Sequence, residues 1–180
     1  NQQYIVPEVF VKKLDGEWTI TLNNDQVPHL RISNTYKDIM SNGSSTAEDR
    51  EYIREKIRAG KFLIMSLHQR QSTIHNIANE ILTRQIAFFE NGTSDLKPLT
   101  MVQVAEVVGV HETTVSRAVS AKYMETPHGV FEMKYFFTSG FKTDDGKDVS
   151  NTSIKDMLVE LVKEEDHHKP LSDDAIVKLL

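Results

Sequence analysis

The chain has 180 residues, 26 acidic against 21 basic, with seven histidines, no cysteine and a formal net charge of −5. Its length allows one ordinary domain or two or three small ones, and 39% hydrophobic with 26% charged residues is a folded composition rather than a disordered one. The missing cysteine excludes disulfides, thiolate zinc sites, iron–sulfur clusters and thiol catalysis and fits a reducing cytosol, while no apolar run is long enough to span a membrane. The opening Asn1-Gln2-Gln3 has neither a basic nor an apolar region, so no signal peptide is expected. The acidic balance argues, at first sight, against a nucleic-acid binder.

Residues 4 to 33 read as strands. Val9, Val11 and Leu14 precede Asp15-Gly16, and Trp18, Ile20 and Leu22 alternate after it, which is a strong hairpin signal. Leu30-Arg31-Ile32 is a short third strand candidate, and the piece is small for a free-standing domain. Thr46, with Asp49 three residues on, is close to a capping box. A long helical pattern follows from Ala47 to Glu90, with a heptad-like stripe through Ile53, Ile57, Ile64, Leu67, Ile74, Ala78, Ile81 and Phe88. An unbroken helix of that extent would be roughly 65 Å long. Gly60 is its weakest point, where continuity of the helix stays open, and Asn91-Gly92 ends it.

Thr100 caps a short apolar helix over Met101 to Val108, with Gln103 at the capping-box position. Gly109 is a turn, and a second helix runs from Glu112 to Lys122. Thr126-Pro127-His128-Gly129 is a tight turn, and Val130 to Phe137 is aromatic-rich and favours β structure. Residues 139 to 151 read as a loop, 154 to 165 as a helix, and Ser172 caps a last helix that the sequence end cuts at Leu180.

Two short helices around a glycine make a helix-turn-helix. The close crossing needs a small residue, Ala105; the turn needs a residue tolerant of positive φ, Gly109; the second helix needs an apolar residue facing the first, Val115. Val104, Val108 and Val110 complete this core. Off the core stripe lie His111, Glu112, Thr113, Ser116, Arg117 and Ser120, the candidate DNA-reading face. Arginine is the commonest specific reader of guanine, and short hydroxyls suit phosphates or bases. The alternative for Arg117 is an intrahelical pair with Glu112 or a neighbour. Lys97-Pro98-Leu99-Thr100 recurs as Lys169-Pro170-Leu171-Ser172, which points to a second DNA-binding module beginning there; the alternative is a capping phrase used twice.

The charge is uneven. Residues 144 to 166 hold eight acidic and three basic side chains, the whole net charge of the chain. Residues 50 to 70 carry six basic against two acidic side chains, and residues 97 to 137 are neutral. No metal, P-loop, dinucleotide or hydrolase motif appears, so no enzyme, metal or cofactor is expected, and the three Asn-x-Ser/Thr triplets at Asn42, Asn91 and Asn151 read as chance.

The run from Val104 to Val119 closely resembles the helix-turn-helix of the sigma-54 (RpoN) type bacterial RNA polymerase sigma factors, and so does its continuation Lys122 to Phe137. Leu67-His68-Gln69-Arg70-Gln71-Ser72-Thr73-Ile74, the Phe88-Phe89 pair, Tyr4 to Val9 and the tail through Lys169-Pro170-Leu171-Ser172-Asp173 are similar to further parts of that family, in the same order. The resemblance implies a mainly α fold. It would comprise a small β-hairpin region, one very long helix carrying a helix-turn-helix with a short β extension, and the start of a second helical DNA-binding domain. The implied boundaries are 1–45 for the end of a core-polymerase-binding domain, 46–140 for the long helix plus helix-turn-helix, 141–152 for a linker and 153–180 for the truncated second module.

The resemblance also implies a function: a non-catalytic, cytoplasmic transcription initiation factor working as a monomer. Its partners would be promoter DNA, core RNA polymerase and, through the full-length factor, an AAA+ enhancer-binding activator, with no membrane. Arg117 sits at the position that addresses the downstream GC-containing promoter element, and Lys122, His128 and Lys134 are the candidates for the DNA backbone. His128 stands where the family usually has arginine, which removes a phosphate contact or makes it pH-dependent. Phe62 stands where the family usually has tryptophan. The arginine-rich RpoN box and the activator-responsive region are absent from the 180 residues. A stand-alone helix-turn-helix repressor and a helical interaction scaffold are the alternatives.

Overall fold

The computed structural model describes residues 5–23, 30–41, 46–142 and 148–163. Strands β1 (Val9–Leu14) and β2 (Glu17–Leu22) form the expected hairpin, paired from Val9↔Leu22 to Leu14↔Glu17. Its two-residue turn places both Asp15 (φ 51°) and Gly16 (φ 87°) at positive φ, the mirror-image turn whose twist matches the strands. Leu30 to Ser33 is not a strand; it leads into helix α1 (Asn34–Ser41). The side chain of Ser33 accepts the Thr35 N–H at 3.3 Å, a local bond that favours a turn into helix over a ladder.

Helix α2 (Ala47–Arg84) starts on a complete capping box between Thr46 and Asp49 and passes through Gly60 without a break. Nothing packs within 4 Å of a Cβ built at Gly60, and the cost of one glycine is spread over a cooperative helix of 38 residues. The interruption falls instead at Gln85 (φ −106°, ψ 24°), after which α3 (Ile86–Asn91) ends at Gly92. Gln85 is fully buried, and its side chain both accepts the Lys97 N–H (2.8 Å) and donates to the Lys97 carbonyl (2.7 Å). That exchange ties the helix bend to the segment entering the helix-turn-helix.

The helix-turn-helix comprises α4 (Met101–Val108) and α5 (Glu112–Val119). The second helix is thus shorter than its sequence suggests, because Tyr123–Thr126 forms β3, followed by β4 (Gly129–Glu132) and a 3-10 turn over Met133–Phe136. The expected β stretch from Val130 to Phe137 therefore divides into a strand and a turn. The hairpin finds its partner here. The sheet order is β2-β1-β3-β4, with β1 and β3 parallel at Val9↔Met124 and Phe10↔Glu125. One core runs beneath it, from Val9 and Val11 through Ile77 and Ile81 of α2 to Val104, Val115, Val119, Met124 and Phe136. Phe88 is its centre, with edge-on contacts to Phe89 (5.3 Å), Phe131 (5.3 Å) and Phe136 (5.1 Å).

The segment read as a loop contains two paired strands, β5 (Gly140–Lys142) and β6 (Asp148–Ser150), and α6 (Asn151–Lys163) begins directly after them. Its start is fixed by Asn151, whose backbone and side chain both bond Ser139. The Tyr135 hydroxyl donates to Asp156 of α6 (3.3 Å). Burial, then the Asp156 charge, push the phenol up to about 12. The second Lys-Pro-Leu phrase and the helix after Ser172 lie outside the described residues. No helix among the described residues is long and apolar enough to cross a membrane.

Candidate nucleic-acid interface

The helix-turn-helix is built by local chemistry at both of its starts. Thr100 accepts the Gln103 N–H (3.3 Å) while the Gln103 side chain accepts the Thr100 N–H (3.0 Å), so two end donors are satisfied reciprocally. Gly109 closes α4 in the left-handed conformation (φ 76°, ψ 35°), and the Ala105 carbonyl accepts the N–H groups of both Gly109 and Val110. Val104 and Val115 are completely buried, Ala105 is 4% exposed, and Val108 and Val110 pack partly buried against the same core. His111 caps α5: its Nδ1 accepts the Thr113 N–H (3.2 Å) and lies 2.9 Å from the Thr113 hydroxyl.

Val115 and Val119 take α5 into the core, which leaves Glu112, Thr113, Ser116, Arg117 and Ser120 exposed. The His111 Nδ1 and the Thr113 N–H and hydroxyl are used on each other, while the other ring nitrogen of His111 takes no part in this cap. Glu112, in the first turn, complements the positive end of the helix. Among the described residues Arg117 has no ion pair, so the intrahelical pair with Glu112 does not form. Arg117 lines an open cleft of about 460 Å³ between α5 and α2, together with Thr114 and with Ser66, Gln69, Arg70 and Thr73 of the long helix. The lining has two arginines, one glutamine and three hydroxyl residues and no Asp or Glu; the Ser66 and Thr73 hydroxyls donate to the Phe62 and Gln69 carbonyls of α2 (2.8 and 2.9 Å), which leaves Arg70, Arg117, Gln69 and Thr114 as the donors. Such a donor set suits phosphate oxygens and base-edge acceptors.

The four α2 residues were not candidates from the sequence. They recur at helical spacing along one polar face, but nothing in that spacing says which helix will lie beside it.

The three backbone candidates are placed differently. Lys134 is exposed on the 3-10 turn beside α5. His128 donates from Nε2 to the Phe89 carbonyl (3.0 Å) and sets its ring edge-on to Phe88 (5.8 Å). Lys122 pairs with the Glu8 carboxylate, with both side chains about three-quarters covered or more (25% and 19% exposed). The donor atoms of His128 and Lys122 are thus engaged inside the chain, because the sheet brings Glu8, and α3 brings the Phe89 carbonyl, to groups far away in sequence.

Comparison with known proteins agrees along the whole chain. Residues 50–180 match the family model described as "Sigma-54, DNA binding domain", and residues 1–36 match "Sigma-54 factor, core binding domain". The RNA polymerase sigma-54 factors of Escherichia coli K12 and Vibrio anguillarum are 38% and 42% identical over 178 residues, 99% of this chain. The chain spans only 37% and 36% of the length of those two relatives. The crystal structure of Aquifex aeolicus sigmaN bound to promoter DNA superposes with a TM-score of 0.64 at 24% identity, over 99% of this chain and 53% of that one. At that identity the likeness is one of fold.

Proposed function

The chain belongs to the sigma-54 factor family, and from that premise we propose that it is the promoter-reading and polymerase-linking part of a transcription initiation factor. The helix-turn-helix docks in the major groove at a downstream GC-containing element. Arg117 reads a guanine there through O6 and N7, while Arg70, Gln69 and the Thr114 hydroxyl hold the adjacent phosphates. Lys134 positions the backbone farther along. Residues 1–45 are the end of the core-polymerase-binding domain, 46–140 form the promoter unit, 141–152 connect, and 153–180 open a second DNA-reading module. The factor is non-catalytic and cytoplasmic, acts as a monomer, and answers an AAA+ activator through parts of the full-length protein outside these residues. A match to a core-binding domain in residues 1–36 disfavours a stand-alone repressor, which needs no such region.

The observation that carries this reading is Arg117 itself: exposed in the middle of α5, unpaired among the described residues, at the edge of a cleft of hydrogen-bond donors. Duplex binding tests it. Arg117→Ala should cost about 1–3 kcal/mol of discrimination at a single guanine and spare binding to scrambled DNA. Equal wild-type affinity for promoter and scrambled duplexes rejects it.

A further inference from the structure

Two residues, Ala121 and Lys122, lie between the last turn and Ser120 cap of α5 and strand β3. Ala121 is left-handed (φ 53°), a conformation that a residue with a Cβ adopts at a cost. Local preference therefore does not fix the angle between the recognition helix and the sheet. Lys122 sits where longer ties converge. Its N–H donates to Val119 (3.3 Å), its carbonyl accepts the Met133 N–H (2.8 Å), and its ammonium meets Glu8. Glu8 is itself stitched between strands: its N–H donates to the Tyr123 carbonyl (3.0 Å) and its carbonyl accepts the Asn23 N–H (2.8 Å). Its other carboxylate oxygen, Oε2, is buried without a hydrogen-bond partner, so Lys122 is the group that compensates this charge. Breaking such a partly buried pair costs more than breaking an exposed one.

We propose that Lys122 is a positioning residue: paired with Glu8, it clamps the exit of the recognition helix to the N-terminal hairpin, so that the hairpin sets the attitude of α5 on DNA. The inference rests on α5 being the DNA-reading helix. It replaces the expected backbone contact of Lys122 with an indirect role, and it makes the region matched to the core-binding model a structural part of promoter reading.

The sign of one substitution separates the two roles. Glu8→Gln removes a negative charge near the interface. A Lys122 that contacts phosphate would then bind DNA as well or better; a Lys122 that positions α5 would lose its anchor. The test uses the whole 180-residue chain as wild type, Glu8→Gln, Lys122→Met and the reversed pair Glu8→Lys/Lys122→Glu, on promoter and scrambled duplexes across a salt series. Both single variants are expected to lose promoter affinity by roughly fivefold, the equivalent of about 1 kcal/mol, with the salt slope unchanged, and the reversed pair to recover most of it. The proposal is overturned if Glu8→Gln binds as well as wild type or better while Lys122→Met alone weakens binding and lowers the salt slope by about one.

Should the wild type fail to distinguish promoter from scrambled DNA, the reading of α5 fails instead. Unfolding midpoints of wild type, Glu8→Gln, Lys122→Met and the double variant Glu8→Gln/Lys122→Met then decide the clamp: non-additive single effects support it, and additive ones overturn it.

Discussion

Gln85 shows how one side chain redirects an element. A glutamine on the apolar stripe of a long helix looks like a blemish; in the fold it is a fully buried connector whose amide satisfies the Lys97 backbone on both sides and also donates to the Phe136 carbonyl (3.3 Å). Replacing it with leucine keeps the size and leaves three backbone groups unpartnered, so Gln85→Leu should destabilise the chain by about 2–4 kcal/mol, read as a lower denaturant midpoint at unchanged m-value. Tyr135 is legible by pH. Its folded pKa, pushed up to about 12, lies above the ordinary value of 10.0. The folded state therefore holds the phenol proton more tightly. The stabilisation is complete below pH 10 and is lost as pH rises toward 12. Unfolding midpoints measured over that window should fall, and Tyr135→Phe should flatten the fall.

At the scale of elements, the caps were readable and the interruptions were not. Thr46 with Asp49, Thr100 with Gln103, and Asp15-Gly16 each act within a few residues, so their chemistry is visible in the sequence and recurs in the fold. The long helix runs through Gly60 and is interrupted at Gln85 because helix propensity is a small term. A contact with residue 97 outweighs it. Gly60→Ala should accordingly stabilise the protein by about 0.5–1 kcal/mol, since nothing occupies the space a methyl group would fill. An unchanged or lower unfolding temperature would indicate that the helix needs its flexibility there. The strands β3, β5 and β6 were missed for a related reason. Three or four residues carry too little periodicity to register, and what makes them strands is their partner: β1 for Tyr123–Thr126, and each other for β5 and β6.

For the whole molecule, net charge was a poor guide to partners until it was mapped. The segment 97–137 is neutral, and the acidic surplus lies in residues 144 to 166. The basic stretch from Arg50 to Arg70 lies on α2, and its last member, Arg70, stands in the cleft beside Arg117. The long helix thus brings positive charge to α5, which has little of its own. Arg70→Ala should weaken binding to all duplexes alike and reduce the slope of log affinity against log salt by about one, in contrast to the loss of discrimination from Arg117→Ala. Equal slopes for Arg70→Ala and wild type would exclude a phosphate contact from the long helix.

The sequence by itself determined the family, the helix-turn-helix and its valine core, the hairpin and the exposed face of α5. All of these rest on local spacing, on capping chemistry or on runs long enough to compare. Only the tertiary structure decided that the hairpin and the helix-turn-helix share one sheet, that Lys122 answers Glu8, that His128 bonds the Phe89 carbonyl, and that Arg70 faces Arg117 across a cleft. Each of those joins residues between 39 and 115 positions apart. Pairing across such distances depends on how whole faces pack around Phe88 and Val115, and a side-chain pattern states which face is apolar without stating what will cover it.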